Sequence, residues 1–410
     1  MMVDLVICDL VPMRDRGKFL GIIFGVIGVF TAIGPLIGGA LAQHGAWRWA
    51  FYINVPIGGV TIIVSFMYLQ LGKRDGGSFF RKLSTIDWGG LTILTVSTVA
   101  VMYAVTYGGS LRTWSDPTVV APLAIGLVLL IIFGLFEGTK LTSNPVTPHR
   151  MFANRTSAAA FIITFLHSIM GLWTMYIFSV YFQSVLLVSP TKAGVYLLPT
   201  VIAFPLAAAV GGGIITKTGK YKPIHLSGFA LVTVGCGLAA TLGPHSNAAA
   251  WIFYQLFMAV GLGASTACLL PAVQAELDES DTALSTGTWA FVRSYGVIWG
   301  VTIPAAIFNN GFDQLLLKIP DQRARDVLGH GQAYAHATAE LVRSFGGETS
   351  YHVRDVYSQS VQRVWQISVV FTGLSFLVAL LEKQVALRTE LKTDFGIEGE
   401  KEGEKTESEP

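Results

Sequence analysis

The sequence predicts an all-α polytopic membrane protein, and three observations carry that prediction. Of the 410 residues, 52% are hydrophobic and 13% charged, where a soluble domain carries roughly 25% charged side chains, and mean hydropathy is +0.56. The apolar residues fall in blocks of about 20, the length at which a helix rising 1.5 Å per residue crosses a hydrocarbon core of roughly 30 Å. The blocks are uniformly apolar rather than alternating, which excludes barrel strands and leaves helices, whose backbone polar groups are satisfied internally.

Ten complete spans are expected, at about 19–42, 50–71, 88–107, 118–137, 157–185, 194–215, 224–243, 250–273, 284–308 and 364–382. Ahead of them, residues 1–12 hold Asp4 and Asp9 and no basic region before an apolar core, so they read as neither a signal peptide nor a span but as the tail of something longer. Along the first span Gly17, Gly21, Gly25, Gly28, Ala32, Pro35 and Gly39 recur at steps of four and three, which return to one helical face. Helices in lipid associate by close backbone approach, so this face is built for tight packing, and Pro35 removes a backbone hydrogen bond and should bend the helix. Trp47, Arg48 and Trp49 then suit a hairpin at headgroup depth before the chain returns through the second span, which carries Asn54.

Next come two strongly apolar spans, the second ending at Glu137, which with Lys140 nearby reads as a solvated cap. In the span at 157–185, His167 lies about ten residues in, roughly 15 Å deep, on a face shared with Thr164, Ser168, Gly171, Met175 and Ser179. Polar groups are costly in lipid and face protein or water, and imidazole titrates near neutral pH. His167 is therefore a candidate for the proton or substrate pathway, the alternative being a neutral packing histidine. Tyr176, Tyr181, Gln183 and Gln255 fall in the outer halves of their spans, suited to hydrogen-bond a substrate or to anchor helices. Arg293 follows the acidic loop 274–282 by about twelve residues and either sits near mid-depth or snorkels to the interface. Between the last two spans, 309–363 is expected as one long external loop in which AYAHATAELVRSF forms an amphipathic surface helix. The Glu- and Lys-rich end, 384–410, is expected to be disordered.

Basic residues alternate between sides. Arg14, Arg16 and Lys18, then Lys73, Arg74, Arg81 and Lys82, then Lys140, Arg150 and Arg155, then Lys217, Lys220 and Lys222 share one side, which the positive-inside rule places in the cytosol together with the C-terminus. Asn154 heads a glycosylation sequon that this orientation keeps in the cytosol, unmodified. Net charge is +2 without a basic run, which gives no basis for a nucleic-acid partner. Cys8, Cys236 and Cys268 lack metal-ligand spacing, and no cofactor is expected. No glycine-rich Lys-Ser/Thr nucleotide motif is present, so a transporter here would draw on an ion gradient. An intramembrane enzyme would need clustered catalytic groups, and only the isolated His167 is found.

DLVPMRDRGKFLG at 9–21, GPLIGG at 34–39 and WRWAFYINVPIGG at 47–59 resemble the fourth-to-sixth-span region of fungal fourteen-span drug:proton antiporters of the major facilitator superfamily. LSTIDWGGL, PVTPHRMFANRT, TKTGKYKP, LLPAVQAELDESD and TWAFVRSYGVIWGVTIPAAIFNN follow in the family's order, so the resemblance covers nearly the whole chain. It assigns Gly34, Pro35, Gly38 and Gly39 to the antiporter motif, with Phe30 where the family usually has a small residue. It implies bundles of the major facilitator type: 1–71 the end of an N-terminal bundle, 72–156 two additional spans and their loops, and 157–383 a six-helix bundle. By that alignment the first three spans and most of the fourth are absent, with the loop motif after the second span and the first-span acid. The resemblance further implies proton-coupled efflux of small organic compounds from a bilayer, the plasma membrane before the vacuolar one. A truncated chain that associates with membrane partners without transporting is the alternative.

Overall fold

The structure is a computed structural model that describes residues 11, 13–68, 86–109, 111–139, 145–278 and 281–387, with several side chains of the first helix outside that description. Its long helices are α1 (Met13–Gln43), α2 (Asn54–Tyr68), α3 (Trp88–Tyr107), α4 (Pro117–Glu137), α5 (Arg155–Val180), α6 (Leu198–Thr218), α7 (Lys222–Ala239), α8 (Ala248–Gln274), α9 (Thr282–Leu315) and α10 (Gly347–Leu381). Among the described residues there is no strand. Nine helices among the described residues are long and apolar enough to cross a membrane, and α1 is a 31-residue helix over the first of the ten expected spans.

Local chemistry sets the helix ends. Asp87 and Asn247 accept hydrogen bonds from Gly90 N and Ala250 N at the starts of α3 and α8. At the start of α4, Asp116 accepts from the backbone and hydroxyl of Thr118, which holds its carboxyl below the usual carboxylate range. Gly219, at φ +66°, closes α6 in the left-handed conformation that glycine adopts without penalty. Beyond α5 the chain opens into one wider turn, Tyr181–Val185, with Leu186 N donating to Tyr181 O.

Helices α5 to α10 pack on one another. α8 lies against α6, α7 and α5, α9 against α5, and α10 against α7, α5 and α9. Close approach at glycines explains how. A Cβ on Gly261 would sit 2.4 Å from Gly228 O, one on Gly263 2.2 Å from Phe204 O, and one on Gly300 2.5 Å from Ile169 O. Backbones meet at these crossings, which is how helices gain contact where no water is expelled. The outward faces are apolar and bare: Phe66 on α2 is 92% exposed, and Ile131 and Leu135 of α4 are exposed as well. In water such faces would aggregate, so the chain is a multi-pass integral membrane protein.

The long external loop expected at 309–363 is corrected. α9 continues to Leu315 and α10 begins at Gly347, so helix occupies both ends of that stretch. Polar residues there end the apolar span without ending the helix. Of AYAHATAELVRSF, only Ala339–Ser344 is helical, capped by Thr338. Asn309 Oδ1 accepts from Tyr334 N, Asp313 Oδ2 from Gly331 N, and Tyr357 donates to Ala333 O, so the segment is tied onto α9 and α10.

At the opposite end, residues 382–387 run across the ends of α5, α6 and α7. Lys383 N donates to Thr156 Oγ1, Gln384 Nε2 to Gly219 O, and Tyr221 to Lys383 O. Burial pushes the Tyr221 phenol up to about 12, keeping it a donor. Beside it, His225 Nδ1 lies 3.0 Å from both carboxylate oxygens of Glu382, with both side chains fully buried.

Candidate functional site

The site forms along one face of α5. His167, Ser168, Gly171, Leu172, Thr174 and Met175 wall a cavity of about 300 Å³, closed by Thr200, Phe204 and Pro205 of α6, Leu262 and Thr266 of α8, and Arg293 of α9. Farther along α5, Leu172 and Met175 also line a second, wider space of about 1270 Å³ with Tyr176, Ser179 and Gln183. Its other walls are Gly38 and Gly39 of α1, Ser189 and Pro190, and Glu340 and Arg343 of the helix 339–344. The two spaces thus meet at Leu172 and Met175.

His167 is held by its Nε2, 2.9 Å from Leu262 O and 3.0 Å from Thr266 Oγ1. A carbonyl only accepts, so Nε2 carries the hydrogen and Nδ1 is left as the basic nitrogen. Thr266 passes its own hydroxyl hydrogen to Leu262 O at 2.9 Å. Arg293 lines the same cavity, its guanidinium carbon 5.3 Å over the Trp289 ring. His167 is twelve residues into α5 and Arg293 eleven into α9, so each lies roughly 17 Å along its helix from the same end of the bundle.

Other residues singled out in the sequence fall elsewhere. Gln255 is 0% exposed and does not line the cavity: it accepts from Thr200 Oγ1 at 2.8 Å and donates to Tyr196 O and Trp251 O, a clamp behind the wall. Asn54 is exposed on α2 and bonds back to Ala50 O, away from both spaces. Tyr176 and Gln183 line the wider space, where Gln183 donates to Ser179 Oγ. Thr200, Thr266, Glu340 and Arg343 were not singled out, although a hydroxyl within an apolar span was the signal available for the two threonines.

Of the glycine face, Gly21, Gly25, Gly28 and Pro35 lie in α1 with their surroundings outside the described residues. α1 packs along α6 and the short helix Pro190–Tyr196, and at Gly39 a Cβ would meet Pro190 O at 2.8 Å and Thr191 Cα at 2.9 Å. Gly34 and Gly38 differ from it, since a Cβ on either meets nothing within 4 Å. Phe30 is 70% exposed on a face with Ile22, Val26, Ile33 and Ile37, opposite Gly39, so it does not obstruct that contact.

An apolar cavity partway along four membrane helices, meeting a wider space at Leu172 and Met175, is the arrangement of a membrane transporter. The chain belongs to the Major Facilitator Superfamily, whose family model matches residues 2–301. It is 46% identical over 412 residues to the MFS-type efflux transporter phmH of Phaeosphaeria nodorum, covering 98% of this chain and 72% of that protein. It is 46% identical to the MFS-type efflux transporter ffsH of Aspergillus flavipes, and 39% identical to the efflux pump FUS6 of Gibberella fujikuroi, covering 98% of this chain and 72% of each relative.

Proposed function

We propose that the chain exports small organic compounds in exchange for protons, rocking one helical bundle against another around the cavity at His167. The bundles are those expected from the sequence, 157–383 against the helices of 1–71, with 72–156 as an additional pair. The observation that carries the reading is the placement of a titratable imidazole, Nδ1 uncommitted, in the wall of an otherwise largely apolar cavity. Protonation there puts a second positive charge near Arg293, which disfavours a bound cation and gives the cavity two states of different affinity. The apolar lining suits lipophilic substrates, and relatives bearing the name efflux transporter support the outward direction. Tight contact at Gly39 supports a pivot there, on the side of the wider space. Each proton entering under a membrane potential supplies about 2.3 kcal/mol per 100 mV, before any pH difference. We place the protein in the plasma membrane with its C-terminus in the cytosol.

The test is dye flux in proteoliposomes with an imposed pH gradient. Flux should rise with the gradient and the lumen should change pH as dye moves. His167→Gln, which keeps an N–H for Leu262 O but takes no proton, should leave gradient-independent exchange and abolish the response to pH. Flux indifferent to the gradient in the parent protein would refute proton coupling.

A further inference from the structure

A pair of buried carboxyl groups lies outside the cavity, between α3 and α4. Glu137, expected as a solvated cap, is instead 3% exposed. Its Oε2 accepts from Thr147 N at 2.5 Å and from Thr147 Oγ1 at 3.2 Å. Facing it is Asp87, also buried, whose Oδ1 accepts from Gly90 N at 2.8 Å. That leaves one oxygen on each acid, Asp87 Oδ2 and Glu137 Oε1, and neither has a hydrogen-bond partner. Both crowd the same point: a Cβ on Gly90 would lie 2.2 Å from Asp87 Oδ2 and 2.6 Å from Glu137 Oε1.

Two buried carboxyl oxygens directed at each other are both acceptors unless one carries hydrogen, and two negative charges so placed repel strongly in a low-dielectric setting. Among the described residues, charges on the surrounding elements do not relieve this. On the segment after α4, His149 Nε2 is taken up at 2.7 Å by Gly134 O, and Arg150 is paired with Asp281 at 2.9 Å. α9, which also packs on α3, brings Tyr295 to Thr98 and Asn310 to Gly108, each more than two turns along from Asp87. The helix ends decide which acid holds the hydrogen. Asp87 caps the positive N-terminal end of α3, which favours its anion, while Glu137 closes the negative C-terminal end of α4, which disfavours its own.

We propose that Asp87 and Glu137 form a binding site for a single proton, carried on Glu137 Oε1 and donated to Asp87 Oδ2. The bound proton pins the α3–α4 hairpin to Thr147, and through it to the segment that leads into α5. Deprotonation leaves two buried anions, and the hairpin end then opens from Thr147. The site stands apart from His167 and does not depend on proton-coupled transport.

Infrared difference spectroscopy on the purified full chain tests it. At neutral pH the parent minus Glu137→Gln spectrum should show the carbonyl stretch of a protonated carboxylic acid, shifting in heavy water. If the difference shows only carboxylate bands, Glu137 is ionised and the proposal is overturned. Thermal unfolding supplies the second readout. Glu137→Gln should unfold close to the parent, because its amide donates to Asp87 as the acid does, whereas Glu137→Ala and Gly90→Ala should unfold markedly lower. Gln as damaging as Ala would mean the anion was required, and would overturn the proposal as well.

Discussion

Replacing Gly39 separates a packing contact from a sequence motif. The Cβ of Gly39→Ala would stand 2.8 Å from Pro190 O and 2.9 Å from Thr191 Cα, and both obstacles are backbone atoms that no rotamer change can move. Comfortable carbon–carbon separation begins near 3.5 Å, so α1 must retreat by roughly 0.6 Å. The helix at Pro190 is itself fixed by its Ser189 cap, which receives Lys192 N, so the displacement falls mainly on α1. Overpacking of this kind costs about 1–3 kcal/mol for small additions, and more for leucine. Placed on the equilibrium between two arrangements of the bundles, that cost is roughly a 5- to 150-fold change in population. Dye flux in proteoliposomes, normalised to inserted protein, should fall within that range for alanine and vanish for leucine, with membrane insertion unchanged. Gly34→Ala and Gly38→Ala are the controls, because nothing lies within 4 Å of either added carbon, and both should behave as the parent. If all three alanine variants lose flux equally, or if Gly39→Leu transports normally, the geometric reasoning is wrong.

Three further outcomes concern stability. Gly261→Leu drives a side chain into Gly228 O, 2.4 Å from the first added carbon, and should cost more than about 3 kcal/mol, seen as loss of folded protein after detergent extraction. Gln255→Leu leaves Thr200 Oγ1 and Tyr196 O without their partner and should lower stability by about 1–3 kcal/mol per stranded group, so thermal unfolding should shift before substrate affinity does. Glu382→Ala strips His225 Nδ1 of its acceptor in a fully buried setting, a loss again of about 1–3 kcal/mol, and should expose residues 382–387 to protease, read by the rate of tail cleavage.

The apolar blocks announced the spans closely: 88–107 was expected and Trp88–Tyr107 is found, while 118–137 became Pro117–Glu137. Limits slipped where helix outlasts hydrophobicity, as in α9 and α10, because a polar helical turn outside the bilayer leaves no mark in hydropathy. His167 was legible for the same reason as the spans, since one imidazole in an apolar run stands out. Gln255 stood out equally and proved to be a clamp, because a polar residue inside a span signals a hydrogen bond without saying to what. Glu137 misled for want of its partner. Lys140, three residues away, suggested solvent, whereas Asp87, fifty residues earlier, is what it meets.

The sequence by itself determined that this chain is helical and spans a bilayer many times, because membrane thickness is a constraint along one dimension and leaves its period in the chain; the resemblance to major facilitator transporters rested instead on motifs such as GPLIGG at 34–39. Only the tertiary structure decided which polar groups converge. His167 and Thr266 are 99 residues apart yet 3.0 Å distant, a meeting set by the rotation and crossing of α5 and α8. α8 is held against its other neighbours at glycines, Gly261 on α7 and Gly263 on α6, and a glycine's neighbour across a helix interface is written nowhere in its own segment.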